Sequence, residues 1–138
     1  EMTKILQGPM PSEAIQMLGE LNLIKQFLPE IEALKKTEQP NYVQRNLWLH
    51  TLRVIKSCAD QNERRSIPLA WAALLQEIGK PIAWKKSGEK SFAGHDREAA
   101  LATEKIGERL RFSKKEIEQS KYKFLYQDRT TFENILSL

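Results

Sequence analysis

Residues 67–81 read Ile67-Pro68-Leu69-Ala70-Trp71-Ala72-Ala73-Leu74-Leu75-Gln76-Glu77-Ile78-Gly79-Lys80-Pro81, and the fold turns on them. From Ile67 to Leu75 no side chain is polar apart from the indole N–H of Trp71. A helix that is apolar all round has no face for water, so the stretch predicts a buried central helix over about 67–78 with the rest of the chain packed around it. Gly79 is the expected stop, because glycine closes helices in the left-handed conformation at little cost. The apolar run covers nine residues and includes Pro68. That is far short of the roughly 20 needed to span a bilayer, so no membrane segment is expected.

Outward from this helix the pattern stays helical. After Pro9-Met10-Pro11, Ser12 is placed as an N-cap with Glu13 in the first turn, and Ile15, Leu18 and Leu21 share one face. Pro29 suits a first turn and opens a short helix over 29–36, which Gln39-Pro40-Asn41 ends. Over 45–60, Leu47, Leu49, Leu52, Val54 and Ile55 give a broad apolar surface and predict a deeply packed helix. Between Lys80 and Gly94 all period is lost and Pro81, Lys85, Lys86, Ser87, Gly88 and Lys90 gather. This reads as an exposed loop of about 14 residues, a length at which loops are often functional. Asp96 is the expected cap of a helix running to Leu110, Ser113-Lys114-Lys115-Glu116 has the spacing of a capping box, and a last short helix is expected from Thr131. Strand-like alternation, internal repeats and low-complexity segments are all missing, so the class is all-α.

A chain of 138 residues supports one domain with a real core, taken here as 1–138. Its 41% hydrophobic and 29% charged residues are those of a folding globular domain. The net charge of +4 is compatible with a polyanionic partner but is too small to establish one. Cys58 is the single cysteine, which excludes an internal disulfide and a cysteine-held zinc, and suits the cytoplasm. The start, Glu1-Met2-Thr3-Lys4, lacks the basic and apolar regions of a signal peptide and reads as the inside of a longer protein.

Gln76 and Glu77 stand at the end of the buried helix, where polar groups need a partner or a task. The run Ala72 to Pro81 resembles the signature of HD domains, an apolar helix ending in His-Asp and followed by Ile-Gly-Lys-Pro, with Gln76-Glu77 where His-Asp would be. Three further blocks extend the likeness. They are Ile5-Leu6-x-Gly8-Pro9 with Leu18-x-x-Leu21-x-Leu23 and Leu28-Pro29-Glu30; Gln39 with Trp48, His50, Thr51 and Leu52; and Phe92-x-Gly94-His95 with Leu110-Arg111-x-Ser113. Together they cover residues 5 to about 115, and on them the chain resembles the HD-type helical part of the tRNA nucleotidyltransferase and poly(A) polymerase family. The resemblance implies an HD-domain-like helical bundle and a larger parent of which this is a C-terminal fragment. It also implies a separate N-terminal catalytic domain that carries the nucleotidyl-transfer carboxylates and their Mg. RNA, above all tRNA, and that catalytic domain are the implied partners.

An HD site holds a divalent metal on imidazole and carboxylate, so that bound water becomes a nucleophilic hydroxide near neutral pH. In the matched register the family's first His is Val43, its Asp is Asn46, its His-Asp pair is Gln76-Glu77 and its late His falls near Gln127. Val43 has no donor, and neutral Gln76 is a poor substitute for imidazole. No metal and no cofactor are therefore expected in this domain; any metal would have to sit on His50, Glu77 and His95. The plain alternative makes His50 a buried hydrogen-bonded histidine with Glu77 as its acceptor, and His95 a loop or capping residue beside Asp96.

Lys80, Lys85, Lys86 and Lys90 on the expected loop, with Arg109, Arg111, Lys114 and Lys115, form a candidate phosphate-tracking surface. Lys121 and Lys123 extend it, and an ordinary solvated face is the competing reading. Trp48 and Trp71 belong to apolar helices and are assigned to the core; Trp84, inside the basic loop, either packs or stacks on a base. No phosphate-binding glycine loop and no Ser-His-Asp set can be assembled. Three functions remain: an accessory domain that assists RNA binding or stabilises its parent, a divergent metal phosphohydrolase of nucleotides or phosphate esters using His50, Glu77 and His95, and an interaction domain without RNA. Whether the chain is itself catalytic stays open, as do the nucleotides its parent adds and its oligomeric state.

Overall fold

The computed structural model describes residues 2–37, 46–61 and 66–122, and among these there are eight α-helices, one 3-10 turn and no strand. In order they are α1 (Met2–Gln7), α2 (Pro11–Glu20), the 3-10 turn Ile24–Gln26, α3 (Glu30–Lys36), α4 (Leu47–Gln61), α5 (Ile67–Leu75), α6 (Gly79–Lys86), α7 (His95–Arg109) and α8 (Lys114–Tyr122). The class is the all-α bundle expected. Its centre is α5, in which every residue from Ala70 to Leu75 is buried and Trp71 is 1% exposed. Helices α1, α4 and α8 pack against it. Ile15 of α2, Ile31 and Leu34 of α3, Val54 and Ile55 of α4 and Ile106 of α7 complete one continuous core.

Polar side chains pin the helices where apolar packing alone would let them slide. Ser12 Oγ donates to the Leu52 carbonyl at 2.9 Å, tying α2 to α4, and the Trp71 indole N–H donates to Thr3 Oγ1 at 3.0 Å, tying α5 to α1. The expected cap role of Ser12 is therefore corrected. Met10 precedes the helix as its cap residue, Pro11 opens it, and the Ser12 hydroxyl points across to α4. Leu21 follows α2 and is 60% exposed, so it leaves the face shared by Ile15 and Leu18. Leu49 likewise points outward from α4, 48% exposed. Trp48 and Trp71 are core, as expected.

Boundaries moved for local reasons. α5 ends at Leu75, and Gln76 to Ile78 form a turn. Gly79 then begins α6 and does not stop a helix. A β-carbon at Gly79 would overlap the carbonyl oxygen of His95 and crowd the Ala99 nitrogen, so glycine is there for the close approach of α6 to α7. Residues 80–94 are consequently no single loop: α6 occupies the first half, with Pro81 in its first turn, where a missing N–H costs nothing. α7 starts at His95 after Gly94, which has φ 82°, so Asp96 lies inside its first turn and does not cap it. The capping box is formed as expected, with the Ser113 N–H donating to Glu116 Oε1 and the Glu116 N–H to Ser113 Oγ, both at 3.1 Å. Gln39-Pro40-Asn41, Arg45 and the helix expected from Thr131 lie outside the described residues.

Candidate nucleic-acid surface and the buried polar cluster

Helix α4, the turn after α5 and α6 bring three polar side chains together at the edge of the core. His50 Nε2 lies 3.5 Å from Glu77 Oε1, and Lys80 Nζ lies 2.8 Å from Glu77 Oε2. All three side chains are about nine-tenths buried. Burial by itself would raise the Glu77 pKa, but the hydrogen bond from His50 and the charge and hydrogen bond of Lys80 outweigh it and hold the carboxyl below its usual range. Glu77 is thus an ionised internal acceptor, and the plain alternative reading of His50 and Glu77 describes the geometry. Lys80 is corrected from the exposed loop to this cluster, where its ammonium also lies 5.7 Å from the centre of the Phe92 ring. Buried beside the cluster in sequence, Gln76 Nε2 has no hydrogen-bond partner among the described residues.

The three side chains that retained a metal donor are not assembled into a site. Among the described residues, no group of three or more His, Cys, Asp and Glu is placed to hold an ion. His95 stands at the first position of α7, with Nδ1 3.1 Å from Asp96 Oδ1 and its backbone against Gly79. Asn46, which stands where the resemblance puts an aspartate ligand, has a structural task. Its Oδ1 accepts from the Leu49 N–H at 3.1 Å, as an N-cap does, and its Nδ2 donates to the Lys35 carbonyl at 3.0 Å. Val43 and Gln127 lie outside the described residues.

Of the candidate cations, Lys85, Lys90, Arg111, Lys114 and Lys115 are exposed and make no ion pair among the described residues. Lys86 pairs with Glu98 of α7 at 2.7 Å. Arg109 is engaged more fully. Its guanidinium makes two bonds to the Glu30 carboxylate, at 2.8 and 2.9 Å, and a third to the Phe27 carbonyl at 2.9 Å, which ties the end of α7 to the start of α3. Burial would raise the Glu30 pKa, yet the arginine hydrogen bonds bring it below the usual value. The exposed cations fall into two groups, one with Lys85 in the last turn of α6 and Lys90 in the turn after it, the other with Arg111 after the end of α7 and Lys114 and Lys115 at the start of α8. The first adjoins the start of α7 and the second its end, so they are separated along a helix of 15 residues, about 22 Å.

The turn that carries Lys90 is built on Ser87. Its Oγ accepts from the Lys90 and Ser91 N–H groups at 3.2 and 3.0 Å and lies within bonding distance of the Trp84 and Ser91 carbonyls. Trp84 is half-buried and packs on Phe92, ring centres 4.9 Å apart. Sequence reading missed both contacts of this turn; a serine one place before Gly88, in a local side-chain-to-backbone position, was the available signal.

These observations define an all-helical bundle with a closed polar cluster at one edge and two groups of exposed cations. Residues 1–35 match a family model described as the probable RNA- and SrmB-binding site of polymerase A. The chain is similar to the multifunctional CCA protein of Pseudomonas aeruginosa, 26% identical over 113 residues, or 80% of this chain and 27% of that protein. It is also similar to the A-adding tRNA nucleotidyltransferase of Deinococcus radiodurans, 28% identical over 114 residues, or 80% of this chain and 26% of that protein. The chain therefore spans about a quarter of the length of these relatives. The likenesses support the resemblance to the tRNA nucleotidyltransferase and poly(A) polymerase family drawn from the sequence. No solved structure matches the chain. No helix of the described residues is long and apolar enough to cross a membrane.

Proposed function

We propose that this chain is a cytoplasmic accessory domain, HD-like in descent, of a nucleotidyltransferase-like protein, and that it grips the RNA backbone with Lys85, Lys90, Arg111, Lys114 and Lys115. The observation that carries the reading is the pair of exposed, unneutralised cation groups on a chain similar to tRNA-processing enzymes. Lysines contacting phosphate give affinity and salt dependence without sequence readout, which suits a domain that holds a tRNA body while another domain does the chemistry. The family model's matched stretch, 1–35, lies outside these cations, so RNA contact there would be additional.

The HD-like position has given up its metal in this reading. Glu77 faces Lys80 in place of an ion, and Asn46 caps α4. Elemental analysis of the purified protein is expected to find no stoichiometric transition metal; one metal per chain, lost on His50→Ala, would overturn this part. For RNA, affinity measured for a tRNA and an unrelated folded RNA should fall with salt by roughly 0.7 to 0.9 log units per contact per log unit of salt. Lys85→Ala with Lys90→Ala should weaken both RNAs equally and flatten the slope. Salt-insensitive binding, or an unaffected double variant, would leave an interaction domain without RNA.

A further inference from the structure

Trp84 and Phe92 form an aromatic pair that stands apart from the continuous core. Lys80 and Trp84 sit one turn apart on the same face of α6, and Phe92 lies against both. Its ring centre is 5.7 Å from the Lys80 ammonium and 4.9 Å from the Trp84 ring, with the two ring planes 32° apart. Through Lys80 the pair is braced on the buried Glu77 cluster. Both rings are only half-buried, and the Trp84 indole N–H, unlike that of Trp71, makes no hydrogen bond among the described residues. The chain after Trp84 is fixed as well. The Glu89 N–H donates to the Trp84 carbonyl at 2.8 Å and the Gly88 N–H to the Lys85 carbonyl at 3.1 Å, a Schellman closure with Gly88 at φ 69°. Such a closure usually lays an apolar side chain from the Glu89 position over the residue at the Trp84 position. Here that side chain is a carboxylate, so Trp84 lacks the usual cover.

Charge and ring chemistry together select the ligand. From the end of α6 to the first turn of α7, the exposed charges are Lys85, Lys90 and Arg97 against Glu89, while Lys86 is paired with Glu98 and Asp96 faces His95. The excess is positive, which attracts a phosphodiester chain, and an aromatic face among cations takes a base. Bases inside a duplex are stacked on one another and offer no open face, whereas unpaired bases do. We infer that Trp84, backed by Phe92, stacks an unpaired base of an RNA whose neighbouring phosphates lie on Lys85 and Lys90. The inference rests on the RNA reading above and deepens it. A backbone grip indifferent to base pairing becomes, at the α6 end, one that selects single-stranded nucleotides.

The test compares two RNAs on the whole chain, a hairpin with a single-stranded adenosine tail and the same hairpin with an abasic tail of equal phosphate number. The adenosine tail should bind about tenfold more tightly with the same salt slope, an effect of the size expected for one stacked base. Trp84→Leu keeps an apolar side chain against Phe92. It should bring the adenosine tail down to the abasic level and leave the abasic tail unaffected, whereas Trp84→Phe should keep most of the difference. Trp48 and Trp71 are buried, so tryptophan fluorescence quenched by the adenosine tail, and no longer quenched in Trp84→Phe, places the base on Trp84. Equal affinity of the unaltered chain for both tails overturns the stacking and leaves the backbone grip standing. Absent or salt-insensitive binding of both tails overturns the two readings together. A loss shared by both tails in Trp84→Leu makes Trp84 a packing residue and overturns the inference, as does quenching that persists in Trp84→Phe.

Discussion

Single residues here carry constraints that their chemical type alone does not announce. Gly79 is read from sequence as a helix stop, but its task is to let the α7 backbone come within contact, a tertiary fact that local pattern cannot supply. Gly79→Ala is therefore expected to cost at least about 3 kcal/mol in denaturant unfolding, the upper end for overpacking, because backbone cannot move aside as a side chain does. Glu77 shows the reverse case. That a carboxylate beside a buried helix needs a partner was legible, and His50 was a named possibility, but Lys80 was not, because the helix that turns it inward was not seen. With its folded pKa below the ordinary 4.5, Glu77 stabilises the protein fully above that pH, and the contribution disappears as pH falls through the folded value. Melting temperatures across that acid window should fall less steeply for Glu77→Gln than for the parent. At neutral pH, Glu77→Ala should cost roughly 3 to 5 kcal/mol by leaving Lys80 buried without its counter-charge.

At the scale of elements, α5 was legible because burial on all sides needs no periodicity to detect. Its C-terminal limit was not, since Ile78 is apolar and buried whether the chain is helical or turned. Trp71→Ala and Leu74→Ala should each cost about 2 to 5 kcal/mol, the range for large core side chains; losses below about 1 kcal/mol at both would mean that α5 is not central. Helix α6 escaped sequence reading for physical reasons. It is only eight residues long, begins with Gly79 and Pro81, and buries Lys80 on its inner side, so its composition is that of a loop. The start of α8 was readable from four residues because the capping box is a local device. Ser113→Ala should cost about 1 kcal/mol, seen as a small drop in melting temperature with RNA binding retained.

For the whole molecule, the arrangement of the two exposed cation groups decides how it could hold a polyanion. Lys85 in the last turn of α6 and Lys90 just after it lie near the start of α7, and Arg111, Lys114 and Lys115 follow the end of α7. Sequence reading had them as one surface with Lys80 and Arg109, because spacing along the chain cannot tell an exposed cation from one taken up by Glu77 or Glu30. About 22 Å of helix between the groups corresponds to roughly six base pairs at the 3.4 Å rise per phosphate along one strand of a duplex. A duplex of three or four base pairs should then reach one group only, while a tRNA or a helix of a dozen base pairs reaches both. The salt slope should step up between those lengths. Lys85→Ala with Lys90→Ala, and Lys114→Ala with Lys115→Ala, should each lower the slope for long RNA by somewhat under 2, and the losses should add, as expected for sites too far apart to couple. For the short RNA the two pairs should be redundant, each double variant binding about half as well and the fourfold variant, which keeps only Arg111 of the five cations, far more weakly. A slope that does not depend on RNA length, or losses confined to one pair, would show that a single group binds and that the span of α7 plays no part.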